Sequence, residues 1–379
     1  MKFTTPSNLL HERFTTVSRV IGGKIQLSIM ESVLFEVKGD ALHLTATDGE
    51  TRIICEMPIE DKSGDDVSFT VKARQLLDPL REISNQTITF ELNEEEMIVE
   101  VNYSNGNFSF PVQSGEDFPE PEALSDQSYT LTIPSATFLQ GIESSIYATS
   151  NEDIRPLMMG LHLDIRPDCI TFVGTDGFLM ASYRNYNIKG QVEERNSFTL
   201  QKKPANLLRG ILTQEGDAEP LEIQVYYNFA TFSIGTTELQ CRLLEGKYPN
   251  YESVIPDGNN KVVEADRMQL LGAFRRVSMF ASQPMNLVRL EIESKSMKLL
   301  AKDNDFSTSA EETIPCSFSE DKPLTISFRG EHYVNVLGTM IGEMVTIKLG
   351  DRAHAALISP SGAPEGVEML VAIMPLVYQ

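Results

Sequence analysis

A pattern of apolar residues recurs three times along the chain, about 128 residues apart, and this repeat constrains the fold more than any compositional figure does. Val33, Phe35 and Val37 alternate as a half-buried strand does. Leu161, Leu163 and Ile165 repeat that alternation, and Val288, Leu290 and Ile292 repeat it again. A second strand keeps the register, as Leu42, Leu44 and Ala46, then Ile170, Phe172 and Gly174, then Met297, Leu299 and Ala301. Turn signals follow at Thr47-Asp48-Gly49, Thr175-Asp176-Gly177 and Lys302-Asp303-Asn304. Ahead of each strand pair a short strand feeds an amphipathic helix. The helical apolar sets are Leu9, Leu10, Phe14, Val17 and Ile21; Phe138, Leu139, Ile142 and Ile146; and Met268, Leu271, Phe274 and Val277. A second helix recurs near 74–83, 203–212 and 331–341.

The period is one whole domain rather than a solenoid unit, so the chain reads as a tandem triplication. Each copy is expected to be an α+β domain, its helices covering mainly antiparallel sheets. The expected domains are 1–126, 127–257 and 258–379. The joints show as acidic or proline-bearing stretches without periodicity: Asp117-Phe118-Pro119-Glu120-Pro121-Glu122, then Lys247-Tyr248-Pro249-Asn250-Tyr251 with Pro256-Asp257-Gly258.

Little in the sequence suggests catalysis. No phosphate-binding G-x-x-x-x-G-K-[ST] loop or G-x-G-x-x-G fingerprint occurs, so no nucleotide cofactor is expected. Asp303-Asn304-Asp305 begins like a calcium loop, but Thr308 and Ile314 stand where glycine and glutamate are needed. Cys55, Cys169, Cys241 and Cys316 are widely spaced and read as small buried hydrophobes on strands, with no metal or redox pair. His162 falls on the polar phase of its strand and is expected at the surface. A hydrolase using two of the 54 acidic residues stays open, although nothing singles out a pair. No apolar run approaches the roughly 18 residues of a membrane span, and residues 1–6 lack the apolar stretch of a secretory signal. A cytoplasmic location is the expectation.

The net charge of −22 argues at first against a nucleic-acid partner. The six candidate helices, however, hold thirteen basic residues against seven acidic ones, a net +6 that leaves −28 for the remainder. A surface made of those helices would attract phosphates without reading bases, while the remainder would repel them. Lys and Arg decorating exposed helix faces is the plainer alternative.

Three domains at this spacing resemble the bacterial β sliding clamp, the beta subunit of DNA polymerase III. The residues that carry the resemblance are Thr175-Asp176-Gly177, Gly246-Lys247-Tyr248-Pro249 with Tyr251, Lys72-Ala73-Arg74, and Met374-Pro375. The resemblance implies a homodimeric ring of six domains, with helices lining the hole and antiparallel sheets outside. It implies a non-catalytic processivity factor of DNA replication that tethers the replicative polymerase to duplex DNA. A clamp loader and other replication and repair proteins would be further partners, and no membrane is involved. The DNA-facing residues would be Lys24, Arg74, Arg155, Lys202 and Lys203. A partner-peptide pocket would comprise Met158, Thr175, Gly177, Phe178, Leu179, Met180, Pro249, Val254, Met374, Pro375 and Leu376. The dimer interface would bring Leu76, Leu80, Ile83, Phe108 and Phe110 against Met279, Phe280, Glu311 and Glu312. Two plainer readings stay open: Phe108 and Phe110 packing in a domain core, and Met374 to Leu376 finishing a buried strand. Phe178 and Leu179 stand where the family often has a basic or imidazole pair, and Ser253 where it often has arginine, so a greasier pocket is expected. The competing function class is an acidic three-domain extracellular or carbohydrate-active protein.

Overall fold

A computed structural model of the chain describes all residues except 23–26, 123–128, 189–191, 217–218, 284, 352 and 377–379. The described chain divides into two units, Met1–Ala136 with Asn206–Leu243, and Thr137–Ala205 with Leu244–Gln379. The middle third of the sequence is thus shared between them. Strand pairing explains the division, because the middle repeat contributes part of one large sheet to each unit.

In the first unit a nine-stranded sheet runs Gln113–Ser114, Val67–Lys72, Ser32–Lys38, Ala41–Thr47, Thr51–Pro58, Thr237–Arg242, Phe229–Ile234, Pro220–Val225, Tyr129–Pro134. The junction between repeats is the antiparallel pair of Thr51–Pro58 with Thr237–Arg242, where Leu239 faces Ile53. A five-stranded sheet, Glu60–Ser63, Lys2–Pro6, Thr87–Asn93, Ile98–Tyr103, Gly106–Pro111, completes this unit's strands.

The second unit has a nine-stranded sheet in the order Asn196–Leu200, Leu161–Ile165, Ile170–Thr175, Leu179–Asn185, Val367–Ile373, Ala356–Ser361, Met344–Leu349, Lys261–Asp266, Ser317–Phe318. Here the repeats join where Leu179–Asn185 pairs with Val367–Ile373. A four-stranded sheet runs Thr308–Pro315, Ser296–Asp303, Leu287–Ile292, Leu324–Arg329.

Six helices fall where the apolar spacing puts them: α1 (Ser7–Ser18), α2 (Ala73–Glu82), α3 (Ser135–Ser145), α4 (Lys202–Glu215), α5 (Arg267–Ser278) and α6 (Gly330–Thr339). Most of the apolar positions are buried, Met268 at the start of α5 being an exposed exception. Leu10, Phe14 and Val17 of α1 are fully buried, as are Phe274 of α5 and Tyr333 of α6, whose rings stack 4.4 Å apart. Asp266 caps α5 by accepting from the Gln269 backbone N–H at 2.7 Å, satisfying one of the donors a helix start leaves open. Val33, Phe35 and Val37 are fully buried, and so are their repeats Leu161, Leu163 and Ile165.

Three expectations need correction. His162 is buried, because the chain after the second repeat lies over its strand. Leu76, Leu80 and Phe110 are buried inside the first unit, so their side chains hold α2 and an edge strand to their own domain. Cys55 and Cys241 are buried on strands, but Cys169 precedes its strand and Cys316 is only half-buried between two. The expected joint at 126–127 lies outside the described residues.

Candidate functional site

The Thr-Asp-Gly signal proves to be a structural turn. The Thr175 hydroxyl donates to the Leu179 carbonyl at 2.8 Å, and Asp176 Oδ1 accepts from the backbone N–H groups of Phe178 and Leu179 at 2.8 and 2.7 Å. Gly177 sits at φ +92°, a region few side chains tolerate. Thr47-Asp48-Gly49 repeats the device: Thr47 donates to the Thr51 carbonyl, Asp48 accepts from Glu50 and Thr51, and Gly49 has φ +95°. The motif therefore shapes a hairpin in both copies. What differs is the side chain it presents, which at Phe178 is 66% exposed.

Backbone pairing brings much of the expected pocket together within the second unit. Leu179 pairs with Ile373 and Met180 with Ala372, and the Met374 N–H donates to the Phe178 carbonyl at 2.8 Å. Leu376 continues by donating to the Ser327 carbonyl. Leu179 and Met180 are themselves buried in two different apolar clusters, so they support the surface rather than form it. Pro375 is buried too, while Met374 is exposed. Met158 is half-buried, with the Arg155 guanidinium 3.9 Å from its sulfur. A Cβ placed on Gly177 would stand 3.3 Å from that same guanidinium, which ties Met158, Arg155 and the turn to one neighbourhood.

Pro249 and Val254 come from the connector between the second and third repeats, and both are exposed. Side chains fix this connector. Tyr248 stacks on His162, and Tyr251 donates to Asp164 Oδ2 at 2.7 Å. Glu252 accepts from Arg166 and Arg184 at 2.8 and 2.9 Å. Asp164 also accepts from Arg166 and from Arg195, which approaches through Nε and Nη2 at 2.8 Å each. Burial works against charge on Asp164, but the hydrogen bonds from Arg195, Tyr251 and Arg166 outweigh it and hold the carboxyl below its usual range. His162 and Asp164, the polar phase of one strand, and Arg166 just past its end are thus used as a latch. Only their alternation is visible in the sequence, because Tyr248, Tyr251 and Glu252 lie more than eighty residues away.

Arg74 and Lys203 are exposed on α2 and α4, and Arg155 is exposed beside the Pro156–Met159 turn. Lys202 donates to Asn151 Oδ1 at 2.8 Å, and burial lowers its ammonium from the usual value. Lys24 lies outside the described residues. Of the interface set, Met279 is 80% exposed and Phe280 is exposed, while Ile83 and Phe108 are half-buried. Glu312 accepts two hydrogen bonds from Arg276, and Glu311 pairs with Lys298, so both acids have partners in their own unit. Among the described residues no group of three or more His, Cys, Asp and Glu side chains could hold a metal ion.

Comparison with known proteins decides the family. The descriptions "DNA polymerase III beta subunit" N-terminal, central and C-terminal domain match residues 1–122, 132–250 and 252–376. The chain belongs to the DNA polymerase III beta subunit family. Beta sliding clamps from Pseudomonas putida and Escherichia coli are 27% and 25% identical to it, over 96% of this chain and 96% of the first, and 99% of this chain and 100% of the second. The DNA polymerase III subunit beta of Pseudomonas aeruginosa superposes with a TM-score of 0.90 at 25% identity, over 99% of this chain and 100% of that one. The Thermotoga maritima beta subunit gives 0.89 at 21% identity, over 100% of both chains, and shows the fold alone. With the family comes sliding-clamp function in DNA replication, and the extracellular or carbohydrate-active alternative falls away. No helix among the described residues is long and apolar enough to cross a membrane.

Proposed function

We propose that two copies of this chain close around duplex DNA and, without catalytic activity of their own, hold the replicative polymerase on its template. The observation that carries this reading is a count of strands. Each nine-stranded sheet joins a five-strand part from one repeat to a four-strand part from its neighbour. One five-stranded and one four-stranded sheet remain, ending in Gly106–Pro111 and Thr308–Pro315, each of which pairs on one side only among the described residues. Unpaired edges recruit strands. Pairing these two between copies would form the same nine-strand arrangement twice more, and a head-to-tail contact that closes after two copies makes a ring. Exposed Met279 and Phe280 and half-buried Phe108 would lie at that contact.

Arg74, Arg155, Lys202 and Lys203, with Lys24, would face the phosphates without base readout. The exposed Phe178, Val254 and Met374, with Met158, would receive apolar anchors of partner peptides, including those of the polymerase. Tethering raises effective concentration, which is how a non-catalytic ring confers processivity. A clamp loader using ATP would open the ring, since the chain has no phosphate loop of its own.

Retention on DNA tests the reading. Loaded protein should stay on a nicked circle at moderate salt and leave when a restriction enzyme linearises it. Equal release from circular and linear DNA would refute topological linkage. Neutralising Arg74, Arg155, Lys202 and Lys203 should flatten the salt dependence of initial binding by up to roughly 0.9 logarithmic unit per lost phosphate contact.

A further inference from the structure

The three repeats carry the same row of paired residues across their first sheets. In the first it reads Thr70, Leu34, Thr45, Ile54. In the second it reads Thr199, His162, Val173, Ser182, and in the third Ser327, Arg289, Leu300, Glu311. The chain leaving each repeat meets this row at its first residue. Gln113 pairs with Thr70, the Leu244 N–H donates to the Thr199 carbonyl at 2.9 Å, and the Leu376 N–H donates to the Ser327 carbonyl at 2.8 Å.

From that common start the first two connectors go on to place an aromatic residue, a proline and then a carboxylate among arginines. Phe118 is buried with the Arg52 guanidinium 5.9 Å from its ring centre, Arg52 donates to the Pro119 carbonyl at 2.5 Å, and Arg242 pairs with Glu122. In the second connector Tyr248 lies on His162, Pro249 follows, and Glu252 bridges Arg166 and Arg184. Leu34, Thr45, His162 and Val173 are accordingly buried.

Beyond Ser327, no described residue covers the third row. Arg289 and Glu311 are exposed and Leu300 is half-exposed, and they line a cavity of about 650 Å³ together with Leu287, Lys302 and Met285. Asp305 also lines it. The lining combines aliphatic side chains with the cations Arg289 and Lys302 and the carboxylates Asp305 and Glu311, and the first two connectors likewise lie over apolar side chains beside arginines.

We infer that this third seat is a docking groove for an extended segment of another protein, carrying an aromatic-proline pair followed by a carboxylate. The internal connectors display the ligand chemistry: a ring against a guanidinium or imidazole and its apolar neighbours, a proline favouring extended backbone, and an acid paired with arginine, a part Arg289 or Lys302 would take in the third seat. The groove shares no lining residue with the surface bearing Phe178 and Met374, so the inference does not depend on the partner-peptide reading; Ser309, Ala310 and Glu311 belong to the strand proposed to join a second copy, so it does require that this face stays open beside that contact.

A fluorescein-labelled peptide with the sequence of residues 113–122 is the probe, titrated with the full chain and read by anisotropy. Saturable binding is expected with Kd on the order of 100 µM, as befits a short flexible ligand. A peptide with Phe118→Ala should bind at least tenfold more weakly. Arg289→Glu with Lys302→Glu in the protein should have the same effect, and Leu300→Gln should weaken binding with the unfolding midpoint held. No saturation by about 1 mM, or binding indifferent to these variants, overturns the proposal. So does tighter binding once residues 377–379 are removed, which would assign the seat to the chain's own tail. Binding to a monomeric variant but not to the dimer would assign it to the second copy instead.

Discussion

The imidazole of His162 lies flat on the phenol ring of Tyr248, with centroids 4.1 Å apart and planes 5° apart, while its Nδ1 is 2.9 Å from the Thr199 hydroxyl. Burial pushes this imidazole from 6.5 down to about 4 despite the nearby Asp164 carboxylate. Between those values the unfolded chain takes up a proton and the folded ring does not. Stability from this residue is therefore present above about 6.5 and is lost as pH falls toward about 4. His162→Phe keeps a stacking ring that cannot titrate. Between pH 7 and pH 4.5 it should lose roughly 2–3 kcal/mol less stability than the parent in urea titrations. Equal acid losses in the two proteins would remove His162 from the account.

The connector that supplies Pro249 and Val254 depends on a fully buried carboxylate. Tyr251→Phe deletes one charge-assisted hydrogen bond to Asp164 and should cost roughly 1.5–3 kcal/mol. Asp164→Asn leaves Arg166 and Arg195 facing a neutral amide and should cost roughly 3–5 kcal/mol. Denaturant midpoints measure both. A loss for Asp164→Asn no larger than that for Tyr251→Phe would show that the two arginines do not rely on this carboxylate.

Two glycines should respond in opposite directions. A Cβ at Gly174 would stand 2.1 Å from the Ser145 carbonyl oxygen, a backbone atom that cannot step aside, so Gly174→Ala should destabilise by several kcal/mol, on the order of 3. In α6, the position a methyl group would take on Gly338 has nothing within 4 Å, and Gly338→Ala should stabilise by up to about 1 kcal/mol. Thermal unfolding of the two variants checks the pair.

If the strands Gly106–Pro111 and Thr308–Pro315 join between copies, Phe108→Asp with Met279→Asp should give folded monomers near 42.3 kDa by light scattering. Met279 is exposed and Phe108 is half-buried against Tyr103 and Phe110 at the sheet edge, so neither is a fully buried core residue. A doubly substituted protein that stays dimeric at micromolar concentration would place the contact elsewhere.

Removing residues 374–379 should abolish binding of a polymerase-derived peptide while the protein remains dimeric and still loads on circular DNA. Phe178→Ala should weaken the same peptide by roughly tenfold, the effect of losing a large apolar contact. Unchanged anisotropy curves for both variants would exclude the surface formed by Phe178 and Met374.

Local alternation determined much of this protein. Val33, Leu161 and Val288 announce the same strand three times because a period of two is written in consecutive residues, and α1 to α6 show because a helical stripe is equally local. The polar phase was another matter. His162, Asp164 and Arg166 alternate like any solvent-facing set, and only the fold brings Tyr248, Tyr251 and Glu252 over them. Leu76 and Phe110 likewise have the right character for an interface, but tertiary packing spends their side chains inside the first unit. Thr175-Asp176-Gly177 was legible as a turn, whereas Phe178 meeting Met374 was not, since that contact depends on a strand from the far end of the chain. Sequence specifies which face of each element is apolar. Which polar faces stay wet is decided by what the rest of the chain lays across them.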